Sequence, residues 1–146
     1  MTTLLSSFQK GARIAPAQQL VLVAEDHDDT RLLFRTVLEV RGYRVVEAAD
    51  GEEAVRVAES VRPDLILLDG NLPRLSGVDA TRRIRASAHI AHVPILFISG
   101  YAGDNFLALA REAGCDEYLV KPIDFGRLEE LLEKYRGHQR PELSSI

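Results

Sequence analysis

The chain of 146 residues contains a single cysteine, Cys115, so it can form neither an internal disulfide nor a zinc site built from cysteine ligands. Its longest apolar stretches, such as residues 93–98, are far shorter than the roughly 20 residues that a membrane-spanning helix needs. The N-terminus has no continuous apolar core after a basic start, so we expect no signal peptide. These absences favour a reducing compartment, and we expect the protein in the cytoplasm.

The chain also lacks an excess of basic residues. Lys and Arg number 18 against 22 for Asp and Glu, which argues against a nucleic-acid-binding domain. We therefore expect the basic stretch of Arg82, Arg83 and Arg85 to form a solvated helix face. His89 and His92 have a spacing that suits a metal, but no third ligand is near in the sequence, so we expect an exposed helix end and loop. The apolar fraction of 46% is too high for a disordered chain.

Short apolar runs alternate along the chain with segments whose apolar residues recur every three or four positions. Runs of this kind, bounded by polar residues or glycine, are typical of strands that are buried on both faces. We predict five of them, at residues 20–24, 44–48, 65–68, 95–98 and 118–120. Five alternations of strand and helix predict an α/β fold with a doubly wound parallel sheet and helices on both of its faces.

Two of the predicted helices carry clear local signals. In the first, Leu33, Phe34 and Leu38 form an apolar stripe at helical spacing. At the start of the second, Asp50 and Glu53 have the spacing of a capping box, in which the first side chain accepts the N–H of the residue three positions on and the second accepts the N–H of the first. We therefore expect the second helix to begin directly after Asp50.

Three carboxylates, a hydroxyl and an ammonium group follow strands of the predicted sheet. Ligands of such open sheets bind beyond the carboxyl ends of the strands, where the strand order reverses. Clustered carboxylates either raise a pKa or recruit a cation, and Mg²⁺ takes one or two carboxylates together with phosphate oxygens. The pattern predicts a site for magnesium and a phosphoryl group, built from Glu25, Asp26, Asp69, Ser99 and Lys121.

Four sequence motifs extend this pattern. They are VLVAED at residues 21–26, LILLDGNLP at residues 65–73 with Gly77 following, PILFISG at residues 94–100, and YLVKP at residues 118–122. In this order and at these spacings they resemble the receiver domain of two-component response regulators. The resemblance implies a flavodoxin-like sheet of five parallel strands in the order 2-1-3-4-5, with five helices.

The resemblance also implies how the acidic residues act. Asp69 is similar to the family's phosphoryl acceptor, a carboxylate nucleophile that attacks the phosphorus of a phosphohistidine. Asp26 would bind Mg²⁺ directly, and Glu25 would bind it through water, with Asp69 itself as a further ligand. Asn71 would add its backbone carbonyl, and Mn²⁺ is a possible substitute for Mg²⁺.

Further positions would respond to the phosphoryl group. Lys121 would pair with its oxygens, and Ser99 would donate a hydrogen bond to it. Tyr118 resembles the family's aromatic switch residue, which turns inward when Ser99 moves; the alternative is a tyrosine that packs in the core without moving. The peptide bond before Pro122 is often cis in this family. The face made by the fourth helix, fifth strand and fifth helix would change shape, and a homodimer through it is possible.

The resemblance favours a single-domain response regulator rather than a classical enzyme. Its expected partners are a sensor histidine kinase or a histidine phosphotransfer protein, and a downstream protein target, with neither nucleic acid nor membrane. Two alternatives stay open: a phosphorelay intermediate that hands the phosphoryl group to a histidine phosphotransfer protein, and an unphosphorylated interaction module. An aspartate-nucleophile phosphatase is disfavoured, because that class usually places its nucleophile on the first strand with a second Asp two positions later, where this chain has Asn71.

The resemblance covers residues 19–136, and we expect this range to form one domain. Residues 1–18 and 137–146 are predicted to be flexible tails, too short for a DNA-binding or catalytic output domain. Within the domain, Gly70 departs from the family pattern, since a larger apolar residue commonly follows the acceptor.

Overall fold

The computed structural model describes residues 18–100 and 103–136, so the predicted tails lie outside the described residues apart from Gln18. Strands and helices alternate throughout this part of the chain. The strands are β1 (Leu20–Ala24), β2 (Arg44–Ala48), β3 (Leu65–Asp69), β4 (Ile95–Ser99) and β5 (Glu117–Val120). The helices are α1 (Asp28–Val40), α2 (Gly51–Val61), α3 (Gly77–Ala86), α4 (Asp104–Ala113) and α5 (Phe125–Arg136). None of these helices has the length and apolar character needed to cross a membrane.

All five strands are parallel and lie in the order β2-β1-β3-β4-β5, which confirms the predicted flavodoxin-like sheet. Ala24 pairs with Leu68, and Asp69 pairs with Ile98. The carboxyl ends of β1, β3 and β4 therefore meet at one edge of the sheet. Two strands are longer at that edge than predicted, since β3 includes Asp69 and β4 includes Ser99.

Two apolar layers cover the sheet because successive side chains of a strand point to opposite faces. Leu22, Ile66 and Phe97 pack with the buried residues of α2, α3 and α4. Val23 and Leu67 pack on the other face, against α1 and α5. Almost all of β1, β3 and β4 is buried, as expected for central strands of a doubly wound sheet.

The helix boundaries agree with the local signals in the sequence, with one difference. Asp50 Oδ1 accepts the N–H of Glu53 at 2.8 Å, and Glu53 Oε1 accepts the N–H of Ala49 at 2.8 Å. The first bond starts α2 as the spacing predicted, whereas the second is made with Ala49, one residue before the N-cap Asp50. In α1, however, Phe34 is buried and Leu33 is 48% exposed, because the helix turns the latter toward solvent beside the segment that joins β5 to α5.

The prediction of a uniformly solvated basic face on α3 was wrong for Arg85. Its guanidinium group donates to the carbonyl of Val93 at 2.6 Å and to that of Gly114 at 2.9 Å. It also forms an ion pair with Asp116 at 2.9 Å. Arg85 thus joins the end of α3 to the segments before β4 and β5, while its neighbour Arg82 stays exposed.

Candidate phosphoacceptor and metal site

Two carboxylates lie buried side by side at the carboxyl edge of the sheet. Glu25 is 1% exposed and Asp69 is 4% exposed. The backbone N–H of Glu25 donates to the carbonyl of Ala48 at 3.0 Å, which fixes the chain directly after β1. Buried carboxylates need a positive charge or hydrogen-bond donors nearby, because burial strongly disfavours an unpaired ion.

Lys121 supplies this positive charge from the end of β5. Its Nζ lies 3.2 Å from Glu25 Oε1 and 3.2 Å from Asp69 Oδ2. Partial burial by itself would lower the pKa of Lys121, but the charges of Asp69 and Glu25 outweigh it and raise the pKa above its ordinary value. The ammonium group is therefore held protonated between the two carboxylates.

One carboxylate oxygen of Asp26 is buried without a hydrogen bond from the described residues. Its Oδ1 atom is buried and, within the part of the chain that the structure describes, accepts no hydrogen bond. A buried oxygen of this kind is unusual unless it binds an ion or accepts a hydrogen bond from a water molecule. The carboxylate oxygens of Glu25, Asp26 and Asp69 are donors of the hard, anionic type that Mg²⁺ prefers.

His27, which the sequence analysis did not single out, faces the same acidic pocket. Its Nδ1 lies 3.0 Å from Glu25 Oε2 and 3.4 Å from Asp26 Oδ1. The hydrogen bond with Glu25, together with the charges of Asp26 and Glu25, raises the pKa of His27 above its ordinary value. The only signal in the sequence was the position of this histidine directly after the acidic pair.

The loop after Asp69 is held by backbone hydrogen bonds and by the close approach of α3. Asp69 Oδ1 accepts the N–H of Asn71 at 3.0 Å, and Gly70 donates its N–H to the carbonyl of Ile98 at 2.8 Å. A Cβ at Gly77 would lie 2.5 Å from the carbonyl oxygen of Asp69, far inside van der Waals contact. Only glycine at position 77 therefore lets α3 begin against the acceptor strand.

The remaining predicted site residues lie on or next to β4 and β5. Ser99 is fully buried at the end of β4, and its carbonyl accepts the N–H of Lys121 at 2.8 Å. Tyr118 is half-buried, and its ring stacks on Phe97 with 5.6 Å between centroids. The peptide bond between Lys121 and Pro122 is cis. The structure thus brings Glu25, Asp26, Asp69 and Lys121 into one cluster, with Ser99 beside it and Tyr118 further along β5.

The family model described as the response regulator receiver domain matches residues 21–133. The chain belongs to this family. Among curated proteins it is similar to the polar-differentiation response regulator DivK of Brucella anthropi, with 33% identity over 80% of this chain and 95% of the relative. The corresponding protein of Brucella ovis is 32% identical over the same shares.

Solved structures give the same result. The receiver domain of a sensor histidine kinase from Pseudomonas aeruginosa, with a magnesium ion coordinated in its active-site cleft, is 38% identical with a TM-score of 0.77. That match covers 83% of this chain and 99% of the other. The chemotaxis protein CheY4 of Vibrio cholerae is 28% identical with a TM-score of 0.77, covering 82% of this chain and 99% of the other. Magnesium binding and phosphorylation are features of this family.

Proposed function

We propose that the protein is a response regulator that accepts a phosphoryl group on Asp69, with Mg²⁺, from a sensor histidine kinase or a histidine phosphotransfer protein. The observation that carries the proposal is the placement of Lys121 Nζ, 3.2 Å from Asp69 Oδ2 and 3.2 Å from Glu25 Oε1, next in the chain to Asp26, whose buried Oδ1 accepts no hydrogen bond from the described residues. Such a site combines a nucleophile, a fixed positive charge and free oxygen donors, which is what phosphoryl transfer requires. We place the protein in the cytoplasm, in keeping with its single cysteine.

In the proposed reaction a carboxylate oxygen of Asp69 attacks the phosphorus of the donor phosphohistidine. The new O–P bond forms as the P–N bond breaks, and the electron pair of that bond returns to the imidazole nitrogen of the donor. Lys121 pairs with the phosphoryl oxygens, and Ser99 donates a hydrogen bond to them. Asp26, Asp69, Glu25 through water and the carbonyl of Asn71 would hold Mg²⁺, which neutralises negative charge when bound. Water attack on the acyl phosphate would end the signal.

The donor would approach over an apolar groove next to the site. Leu33 and Phe34 of α1 line one side of this groove, and Ile123 and Phe125 line the other, with Lys121 at its end. Because Lys121 also contacts Asp69, a helix seated in the groove would bring its phosphohistidine to the acceptor. The exposed side chain of Leu33 gives such a helix apolar surface to bury.

The output would be a change in the face of α4, β5 and α5, read by a downstream protein. Tyr118 stacks on Phe97, and Phe97 lies two residues before Ser99 on the same strand. A movement of Ser99 toward the phosphoryl group would therefore change the packing of the Tyr118 ring. Leu109 and Val120 are exposed on this face, at 44% and 42%. The same face would serve a homodimer.

Labelling with acetyl phosphate and Mg²⁺ tests the proposal. The wild-type protein should acquire one phosphoryl group, detected by intact-protein mass spectrometry, and Asp69→Asn should acquire none. Asp79→Asn, at an exposed position on α3, is the matched control and should label normally. Label that persists in Asp69→Asn would contradict the assignment.

A second measurement separates the signalling protein from an unphosphorylated interaction module. Addition of beryllium fluoride and Mg²⁺ together should shift the amide resonances of Ser99, Tyr118 and their neighbours, because beryllium fluoride mimics a phosphoryl group on a carboxylate. A spectrum that does not respond to the two additions would favour the inert module. Transfer from labelled Asp69 to a histidine phosphotransfer protein would identify the phosphorelay alternative.

A further inference from the structure

The segment between β1 and α1, residues 25–27, carries two carboxylates of the proposed metal site. It belongs to neither a strand nor a helix, so the regular hydrogen bonds of those elements do not fix its backbone. Buried backbone groups are nearly always paired, and the partners of such a segment decide how it is held. For Glu25, whose side chain is buried, these backbone partners are Ala48 and Arg31.

Arg31, on the first turn of α1, holds Glu25 from the side of the helix. Its Nη1 atom donates to the backbone carbonyl of Glu25 at 2.8 Å. From the side of the sheet, the N–H of Glu25 donates to the carbonyl of Ala48 at 3.0 Å. Both backbone polar groups of Glu25 are therefore bonded, and they set the direction of its side chain and of Asp26, which follows it.

The guanidinium group of Arg31 is itself anchored. The side chain is 17% exposed, with Nη2 at 2.7 Å from Asp28 Oδ1 and Nε at 3.5 Å from Glu47 Oε1. Glu47 directly precedes Ala48 on β2, so Arg31 ties Glu25 to the end of that strand a second time. A planar guanidinium group can make these contacts together because its five N–H donors are fixed in a fork.

Arg35, one turn further along α1, has a similar setting without the contact to the loop. Among the described residues, its ion pairs are with Glu39 and Glu47, each at 3.0 Å. It shares Glu47 with Arg31, but of the two arginines only Arg31 contacts Glu25. A comparison of the two arginines therefore separates the effect of the contact from the effect of the charge.

We propose that Arg31 is a positioning residue for the metal site: by holding the backbone of Glu25, it keeps the carboxylates of Glu25 and Asp26 turned toward the ion. This inference rests on the metal site of the proposed function. Replacement of a group that orients metal ligands without touching the ion commonly lowers metal affinity by about 10- to 100-fold. We therefore expect Arg31 to strengthen the binding of Mg²⁺, although it carries a positive charge itself.

The sign of the change in affinity separates positioning from charge. Removal of a positive charge beside an acidic pocket should by itself strengthen the binding of a divalent cation, because a repulsion is lost. Loss of the hydrogen bond to Glu25 should weaken it. A weaker binding of Mg²⁺ by Arg31→Gln would thus be opposite to the effect that charge alone produces.

Titration of the full chain with Mg²⁺, followed by the amide resonances of residues 25–27, tests the proposal. The affinity should fall about tenfold in Arg31→Gln. Arg35→Gln is the matched control: it removes the same charge from the same helix, and it should bind Mg²⁺ as tightly as the wild-type protein or slightly more tightly. Arg31→Lys keeps the charge but lacks the fork, and its affinity should lie between those of the wild-type protein and Arg31→Gln. If Arg31→Gln does not fold, Arg31→Lys carries the test.

Hydrogen exchange in the metal-free protein gives a readout that involves no ion. The N–H of Glu25, bonded to Ala48, should exchange faster in Arg31→Gln and at the wild-type rate in Arg35→Gln, because local opening of the segment becomes easier without Arg31.

A wild-type or higher Mg²⁺ affinity in the Arg31 variants, an equal fall in Arg35→Gln, or unchanged exchange of Glu25 would overturn the proposal. If the wild-type protein still binds Mg²⁺ and labels on Asp69, only the role of Arg31 falls. If the wild-type protein binds no Mg²⁺ and does not label, the proposed function falls together with it.

Discussion

Lys121 Nζ lies 3.2 Å from Asp69 Oδ2, so the ammonium group at the end of β5 neutralises the candidate acceptor at the end of β3. The same nitrogen lies 3.2 Å from Glu25 Oε1. Both carboxylates are buried, and removal of the lysine would leave Asp69 without the cation it pairs with and Glu25 with His27 alone, 3.0 Å away. A divalent ion in the pocket would bring positive charge to the same oxygens. The lysine and the metal would therefore neutralise the same carboxylates.

Lys121→Met should therefore destabilise the protein in a metal-dependent way. In the presence of EDTA we expect the free energy of unfolding to fall by about 1–3 kcal/mol, because two buried carboxylates lose their positive partner. Mg²⁺ should recover part of this loss, and should bind the variant more tightly than the wild-type protein. Urea unfolding with and without Mg²⁺ measures both effects.

Lys134→Met is the matched control. Lys134 is 60% exposed and pairs with Glu117, so we expect a loss of no more than about 1 kcal/mol, independent of Mg²⁺. Equal losses for Lys121→Met with and without Mg²⁺ would show that the lysine and the metal do not share the carboxylates.

Gly70 is expected to tolerate no side chain. A Cβ at this position would lie 2.6 Å from Cε2 of Phe97, so Gly70→Ala should lower the free energy of unfolding by about 1–3 kcal/mol through overpacking. Gly100→Ala, after the neighbouring strand, has nothing within 4 Å of its Cβ and should be close to neutral. The Phe97→Leu substitution should lower the free energy of unfolding less in the Gly70→Ala variant than in the wild-type protein. A simple sum of the two losses in thermal or urea unfolding would refute the contact.

The thiol of Cys115 is expected to react slowly. Burial, with a smaller contribution from Asp116, raises its pKa from 9.0 to about 11. At pH 8 the folded protein then carries about 100-fold less thiolate than the unfolded chain, since two pKa units separate them. Reaction with a thiol reagent should be slower by about this factor in native buffer than in denaturant, and Cys115 is the chain's one cysteine, so the signal is unambiguous. Similar rates would contradict the burial of the thiol.

The same shift has a consequence for stability at high pH. Because the folded pKa of Cys115 is raised, its contribution to stability is fully present below pH 9 and is lost as the pH rises toward about 11. Cys115→Ala should lose less stability than the wild-type protein over this interval. Urea unfolding at both ends of the interval, in the two proteins, gives the difference.

Glu117 should stabilise the fold at neutral pH but not in acid. Burial alone would raise its pKa, but the hydrogen bonds from Lys134 and Tyr135 outweigh it and lower the pKa below 4.5. The contribution of Glu117 to the free energy of unfolding is thus present above its ordinary pKa. It is lost as the pH falls through the lower pKa that Glu117 has in the folded protein. Glu117→Gln should cost about 1 kcal/mol at pH 7 and progressively less toward about pH 3. Glu130→Gln, 72% exposed, is the control, and its effect should be small at both pH values.

The arrangement of the strands was predictable because it is encoded locally. Central strands buried on both faces need continuous apolar runs, and the helices between them need apolar residues on one face. The capping bonds between Asp50 and the start of α2 follow from a spacing of three residues. The strand order came from the family resemblance. The position of the acidic residues at one edge then followed from the parallel sheet.

By itself, then, the sequence determined the fold class, the edge at which chemistry-bearing residues meet, and the family to which the chain belongs. Only the tertiary structure decided which of those residues touch, because contacts between distant segments depend on side-chain direction and packing and not on periodicity. Arg85 turned inward to the carbonyls of Val93 and Gly114 although its neighbours are solvated. His27 faced the acids of its own loop, and Lys121 bridged two carboxylates that lie 96 and 52 positions earlier in the chain.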